Sequence, residues 1–310
     1  MVRPSDDEVL RLRQSVSAMG STFSIVLYGR ERDRMEAAVG AAFDEVRRLD
    51  RLLSGYRPES EWSLVNRLAA NEPVAVSSEL FELITVCLEQ SRKTDGAFDI
   101  TVGPLRRAWG FHRGSGSVPT AEELAAARRH VGYRFVHLDA AARTVRFDHR
   151  GVELDPGGIG KGYAVDRMVA ILRRHGCDAA LVAGSKSSIF GLGTPPVGGG
   201  GWRAEIRSPD QPATSIARVL LSDVSLSTSG TGEQCHWSDG KMYSHIVDPR
   251  TGWPLQTVAQ VSVVTGRALD GEVWAKACLL NGPRWVARKK PDGFRVLFCG
   301  EDPAQQPAWL

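Results

Sequence analysis

The chain has 310 residues, with 39 Lys and Arg against 36 Asp and Glu, a formal net charge of +3. With 42% hydrophobic and 24% charged residues it has the make-up of an ordinary soluble globular protein, which excludes a disordered, collagenous or coiled-coil chain. The near balance of charge argues against nucleic acid as the main partner, because a phosphate-tracking domain is far more basic.

Residues 1–14 are polar and charged and contain no apolar leader-like stretch, so 1–16 are expected to form an extension ahead of the folded unit. Within 21–28, Phe23, Ile25 and Leu27 alternate with polar residues, which predicts a half-buried strand. From 33 to 53, Met35, Val39, Phe43, Val46, Leu49 and Leu53 fall on one helical stripe. A second helix is predicted over 78–93, ending before Asp95-Gly96. A third is announced by Thr120 with Glu123 three residues on, the pattern of a capping box. Short strands at 145–147 and 152–154 precede an amphipathic helix over 161–175, closed by Gly176. Strands are then predicted at 179–183, 202–207, 216–221, 243–247 and 260–264, with the glycine-rich 195–201 as a hairpin tip. A helix over 269–280, a strand over 294–299 and a tail over 301–310 complete the chain. Strands outnumber helices in the second half without regular β-α-β alternation. The predicted class is therefore α+β, with mixed, largely antiparallel sheets packed with helices in one compact unit over 17–300.

No run approaches the ~18 apolar residues of a membrane span, so a soluble chain is expected. The cytoplasm is its default compartment, and an exported or anchored form stays open if a leader has been removed. The five cysteines lie far apart without a C-x-x-C pair, which argues against a disulfide framework or a zinc site. Four of them sit in apolar runs, where buried thiols are expected.

The chain has 32 glycines, and they gather most tellingly in Leu154-Asp155-Pro156-Gly157-Gly158-Ile159-Gly160-Lys161-Gly162. A strand leading through a glycine turn into a helix with a lysine at its start offers free backbone N–H groups and a cation to an anion. The spacing is neither a Walker A loop nor a G-x-G-x-x-G fingerprint. Taken alone, the segment is either a phosphate cradle or a tight strand-to-helix turn. Asp95-Gly96-Ala97-Phe98-Asp99 brings two carboxylates to a turn, and His245 lies in a strand-like run that ends at Asp248-Pro249-Arg250-Thr251-Gly252. Glu272 and Lys276, four apart on the last long helix, have the spacing of an exposed ion pair.

Five blocks together carry a resemblance. They are Met19-Gly20-Ser21-Thr22, Tyr56-Arg57-Pro58-Glu59-Ser60-Glu61, Asp95-Gly96-Ala97-Phe98-Asp99-Ile100-Thr101, Gly157 through Asp166, and Tyr243 through Gly252. In this order they resemble the FAD:protein FMN transferases, the ApbE family, over about 19–282. The resemblance implies FAD as substrate, Mg²⁺ as cofactor, and transfer of FMN to a Ser or Thr of an acceptor protein through a phosphodiester, with AMP released. It places Met19, Tyr56, Ala97, Phe98 and Asp99 against the flavin nucleotide. Asp155 and Lys161 would flank it at the glycine turn, with His245 and Ile246 lining the site.

The carbonyl of Gly158 matches the family's main-chain metal ligand. Glu272 stands where an Asp ligand is usual and Lys276 where a Thr is usual. Glu remains a hard oxygen donor for Mg²⁺, whereas a charged Lys cannot ligate it. Lys276 can instead place its ammonium near the pyrophosphate. Ser185-Lys186-Ser187-Ser188 replaces a Gly-Gly-Asp found in many members. Lys161, Lys276 and Glu272 are the expected catalytic residues, with Glu272, or else Asp99, as base. Hydrolysis of FAD to FMN and AMP, or FAD binding without catalysis, are the alternative activities.

Overall fold

The structure is a computed structural model that describes residues 9–111, 116–300 and 307–310. Its first strand, β1 (Leu10–Ala18), lies in the stretch read as an extension and pairs throughout its length with β2 (Ser21–Gly29). Alternating Leu10, Arg11, Leu12 and Arg13 explain this. An edge strand packs on one face only, and charged residues on the other face protect the open edge.

Helices α1 (Arg32–Leu53) and α2 (Glu61–Leu68) follow, then β3 (Val74–Ala75), α3 (Ser78–Lys93), α4 (Gly103–Ala108) and α5 (Ala121–Arg128). The Thr120–Glu123 capping box forms at the start of α5 as the sequence predicts. Next come β4 (Val136–Asp139), β5 (Thr144–Phe147), α6 (Gly160–Arg174), β6 (Ala179–Gly184), β7 (Ser188–Leu192), β8 (Trp202–Arg207) and β9 (Ser215–Leu221). The chain continues through β10 (Val224–Gly230), β11 (Cys235–Ser238), β12 (Lys241–Ser244), β13 (Gln260–Thr265), α7 (Ala268–Asn281), α8 (Pro283–Lys289), β14 (Arg295–Cys299) and β15 (Ala308–Trp309).

Eight strands form the main sheet in the order β1-β2-β6-β7-β10-β13-β14-β15, each antiparallel to its neighbours. On one face, Phe23, Ile25 and Leu27 pack with α1 and α6 residues such as Val39, Phe43, Val165 and Met168. On the other face Val26, Tyr28 and Leu181 meet Trp202, Ile206 and Leu221 of the separate β8–β9 hairpin. A further core joins α2, α3, α7 and the small β3-β5-β4 sheet.

Several sequence expectations need correction. The apolar run 152–154 is not a strand. Its Leu154 amide donates to Asn66 Oδ1, and its carbonyl accepts from Trp62 Nε1 and Asn66 Nδ2, so side chains satisfy what a partner strand would. The 243–247 strand stops at Ser244, and beyond it only Val247 bridges, to Pro254. Residues 195–201 cross from the main sheet to the β8–β9 hairpin and are not a hairpin tip. Strand β10 carries a weak apolar signal. Ser225, Ser227 and Ser229 are buried under α7, where an added Cβ on Gly271 would come 2.6 Å from Ser227 Oγ.

Of the thiols, Cys87 and Cys278 are buried, Cys177 and Cys299 are half-buried and Cys235 is exposed. Two of the four expected buried cysteines therefore reach only partial burial. No helix among the described residues is long and apolar enough to cross a membrane. Of the predicted N-terminal extension, residues 1–8 lie outside the described residues, as do 301–306 of the predicted tail.

Candidate active site

The glycine turn is held by Asp155, whose Oδ1 accepts from Gly157 N at 2.7 Å. Arg106 Nη1 grips both carboxylate oxygens of Asp155 at 2.7 Å. Residues Pro156–Gly158 make a single 3₁₀ turn, and α6 begins at Gly160 without a side-chain cap. Its first N–H groups thus receive no side-chain cap, the condition under which a helix N-terminus can receive an anion. The glycines here permit close approach. A Cβ on Gly157 would come 2.4 Å from Arg106 Nη1, and one on Gly162 would come 2.5 Å from the carbonyl oxygen of Ala268.

Helices α6 and α7 cross at that point. The N-cap of α7, Arg267, makes no side-chain cap bond, and Asp166 of α6 supplies one instead, accepting from Ala268 N at 2.7 Å and Leu269 N at 3.0 Å. Lys161 on α6 is thereby registered against Glu272 and Lys276 on α7. Burial pushes the Asp166 carboxyl up to about 6, although its two backbone bonds favour the charged form. A raised folded-state value means that the native protein keeps this proton longer than the unfolded chain. The contribution to stability is full below pH 3.8 and is lost as pH rises through about 6. Asp166→Asn cannot titrate. Denaturant unfolding of wild type and variant should therefore diverge between pH 4 and 7, wild type losing on the order of 3 kcal/mol relative to the variant. A difference that stays flat across this range would refute the assignment.

Two neighbouring cavities open at the end of the sheet where β2 and β7 begin and β6 and β10 end. They share Arg106, Asp155, Gly157 and Lys161. Every residue that the resemblance assigned to the site lines one or both of them. Met19 and Tyr56 lie in the first, and Ala97, Phe98, Asp99, Gly158, His245, Ile246, Glu272 and Lys276 in the second. Asp155 and Lys161 line both.

The side chains hold different roles within that wall. Asp99 is committed to structure. Its Oδ1 accepts from Thr101 N and Oγ1, and its Oδ2 from Tyr133 N, while burial pushes its carboxyl up. With both oxygens engaged it is poorly placed to act as a base. Asp95, at the exposed corner of the same turn, anchors α8 by accepting from Trp285 Nε1 and Lys289 Nζ.

His245 places Nδ1 at 3.1 Å from the carbonyl of Gln234. A carbonyl only accepts, so Nδ1 carries the proton and Nε2 is left as an acceptor. Burial, reinforced by Lys276, Arg106 and Lys161, lowers this histidine to about 4 and keeps it neutral near pH 7.

Glu272 and Lys276 do not form the exposed ion pair that their spacing suggests. Glu272 is buried, with Oε1 accepting from Ser188 Oγ at 2.6 Å. Its Oε2 and the nearby cavity-lining Ser187 Oγ are buried without a partner among the described residues. Lys276 Nζ donates to the carbonyl of Gly158 at 3.1 Å and to the backbone carbonyl of Glu272 at 3.3 Å. Burial lowers the Lys276 ammonium, which Glu272 partly offsets. Lys161 is half-buried, and its ammonium has no hydrogen-bond or ion-pair partner among the described residues.

Arg106 is the residue that sequence reasoning missed. It lies on the short helix α4, 49 residues from Asp155, and no local pattern announces it.

The model of the ApbE family matches residues 19–298. A Klebsiella pneumoniae protein named FAD:protein FMN transferase is 34% identical over 264 residues, covering 84% of this chain and 79% of its own. The crystal structure of the ApbE protein from Thermotoga maritima superposes with a TM-score of 0.85 at 28% identity, over 93% of this chain and 94% of that one. The flavinyl transferase ApbE from Pseudomonas stutzeri, in its apo form, gives 0.83 at 28% identity over 97% and 94%.

Proposed function

The chain belongs to the ApbE family, and from that premise we propose that it transfers the FMN half of FAD to a Ser or Thr hydroxyl of an acceptor protein, releasing AMP. The observation that carries this reading is the meeting of two cavities at Arg106, Asp155, Gly157 and Lys161. A dinucleotide is two bulky halves joined by a pyrophosphate. Two cavities with the Lys161 ammonium and a helix N-terminus at their junction match that shape and charge.

In the proposed reaction the acceptor oxygen attacks the FMN-side phosphorus, forming a phosphodiester. The bond from that phosphorus to the bridging oxygen breaks, and AMP leaves with the oxygen. Catalysis then rests on positioning and on cations that face the charge growing on the leaving phosphate. Lys161 supplies one such charge. Arg106, neutralised by Asp155, mainly fixes the turn. The hydroxyl proton passes to a base, and Glu272 Oε2, buried and unpartnered among the described residues, is assigned that role. The acceptor is a separate protein, so this chain itself carries no covalent flavin.

The family resemblance implies Mg²⁺ on the Gly158 carbonyl, with Glu272 and the residue at 276 completing its shell. The donors present do not fit. Mg²⁺ demands near-octahedral oxygen ligands. Here the third position is a lysine whose Nζ already takes the Gly158 carbonyl. A divalent ion on the same oxygen would meet a like charge at close range. No step is routed through a metal.

Incubation with FAD and a flavin-accepting protein tests the function. An FMN-sized mass increment on the acceptor is the expected result. AMP and FMN released without any acceptor would indicate a hydrolase. Tight FAD binding with neither product would indicate a binding protein.

A further inference from the structure

We propose that Lys276 is this enzyme's built-in replacement for the divalent cation, so that FMN transfer proceeds without a metal at the Gly158–Glu272 position. The inference rests on the transferase reading and goes beyond it, because it fixes which charge meets the pyrophosphate. An ammonium has three N–H donors. Two of them go to the carbonyls of Gly158 and Glu272, at 3.1 and 3.3 Å, which hold Nζ in place. The third N–H has no partner among the described residues, and Lys276 lines the cavity beside Lys161. A phosphate oxygen of FAD supplies the missing acceptor.

The surroundings agree with this assignment. An added Cβ on Gly158 would lie 3.9 Å from Lys276 Cε and 3.3 Å from the Phe98 ring. The lysine stem is therefore packed against the glycine turn and is not a side chain swinging in solvent. Glu272 directs Oε1 to Ser188 and keeps no carboxylate contact with Nζ. The ammonium is thus held by neutral carbonyls, and its charge is left to act on the ligand. Without a metal, Glu272 keeps Oε2 open for its proposed role in proton transfer.

Three proteins separate the outcomes: wild type, Lys276→Thr, which restores an oxygen donor, and Lys276→Met, which keeps a long stem with neither charge nor oxygen. Each is assayed for FMN transfer in EDTA and in millimolar MgCl₂, and its FAD complex is titrated with MgCl₂ in a calorimeter against an FAD-only blank. Wild type should transfer at about the same rate in both buffers and give no saturable Mg²⁺ heat. Lys276→Thr should lose about 100-fold in EDTA, regain at least about tenfold with Mg²⁺, and bind one Mg²⁺ in the titration. Lys276→Met should be slow in both buffers. A wild-type complex that binds Mg²⁺ saturably, or that loses transfer in EDTA and recovers it with Mg²⁺, overturns the proposal. If no protein transfers FMN while a control transferase does, the transferase reading fails, and the Mg²⁺ titration still decides the role of Lys276.

Discussion

Lys161→Ala is expected to slow FMN transfer by about 10²–10³-fold, the usual cost of removing one preorganised charge from the transition state. Its melting temperature should stay within about 2 °C of wild type, because surface-side substitutions away from packed or paired groups change stability little. The contrast follows from the surroundings of Lys161. It is half-buried at the junction of the two cavities, and its ammonium has no hydrogen-bond or ion-pair partner among the described residues. The folded apo protein therefore gains nothing from the charge, and only a bound anion uses it. Lys161→Arg should recover part of the lost rate, since the charge is kept while its reach and geometry change. A transfer assay beside a thermal melt checks both halves. An alanine variant with full activity would remove Lys161 from the mechanism, and a large drop in melting temperature would show that it serves the fold.

The contrast with Asp155 shows what local sequence can carry. Both residues belong to one glycine-rich segment, and the sequence places both at the site. Both line the two cavities, and their bonding separates their roles. Asp155 spends its carboxylate on Gly157 N and on Arg106, whose place on α4 depends on chain folding and not on any nearby pattern. A sequence window shows which residues stand beside a turn, and cannot show a partner brought in from 49 positions away.

The sheet divides in a similar way. Strand β2 announces itself because Phe23, Ile25 and Leu27 face a thick helical layer. Strand β10 is silent because its buried face must be small enough for α7 to lie close, so serines fill it in place of Val or Leu. Alternation of large apolar residues reports burial against bulky neighbours, and tight helix-on-sheet contact erases that signal. Lys276 is the most instructive case. Its spacing from Glu272 suits an exposed ion pair, yet burial of α7 on both sides turns the side chain inward onto two backbone carbonyls.

Gly162→Ala decides whether the crossing of α6 and α7 governs both stability and activity. Replacing glycine by alanine inside a helix normally stabilises a protein by roughly 0.5–1 kcal/mol, because alanine loses less backbone entropy. At Gly162 that gain meets a fixed obstacle. The new Cβ would come 2.5 Å from the Ala268 carbonyl oxygen and 2.8 Å from the Leu269 amide nitrogen, both backbone atoms that no rotamer change can move. Relief requires α6 and α7 to separate, which strains the Asp166 bonds to the same two residues. Overpacking of this kind costs about 1–3 kcal/mol, so the clash outweighs the propensity gain. The melting temperature should fall by several degrees, at about 2–4 °C per kcal/mol for a protein of this size class.

Transfer should fall further than stability alone explains. Lys161 precedes the obstructed position by one residue, and Glu272 and Lys276 ride on the helix that is pushed away. A displacement near 1 Å between reacting groups is enough to cost about 100-fold. Differential scanning calorimetry and the FMN-transfer assay on the folded variant measure the two effects separately. A Gly162→Ala protein that melts higher than wild type at full activity would mean that the two helices have slack at their crossing, and that Lys161 and Lys276 are positioned independently.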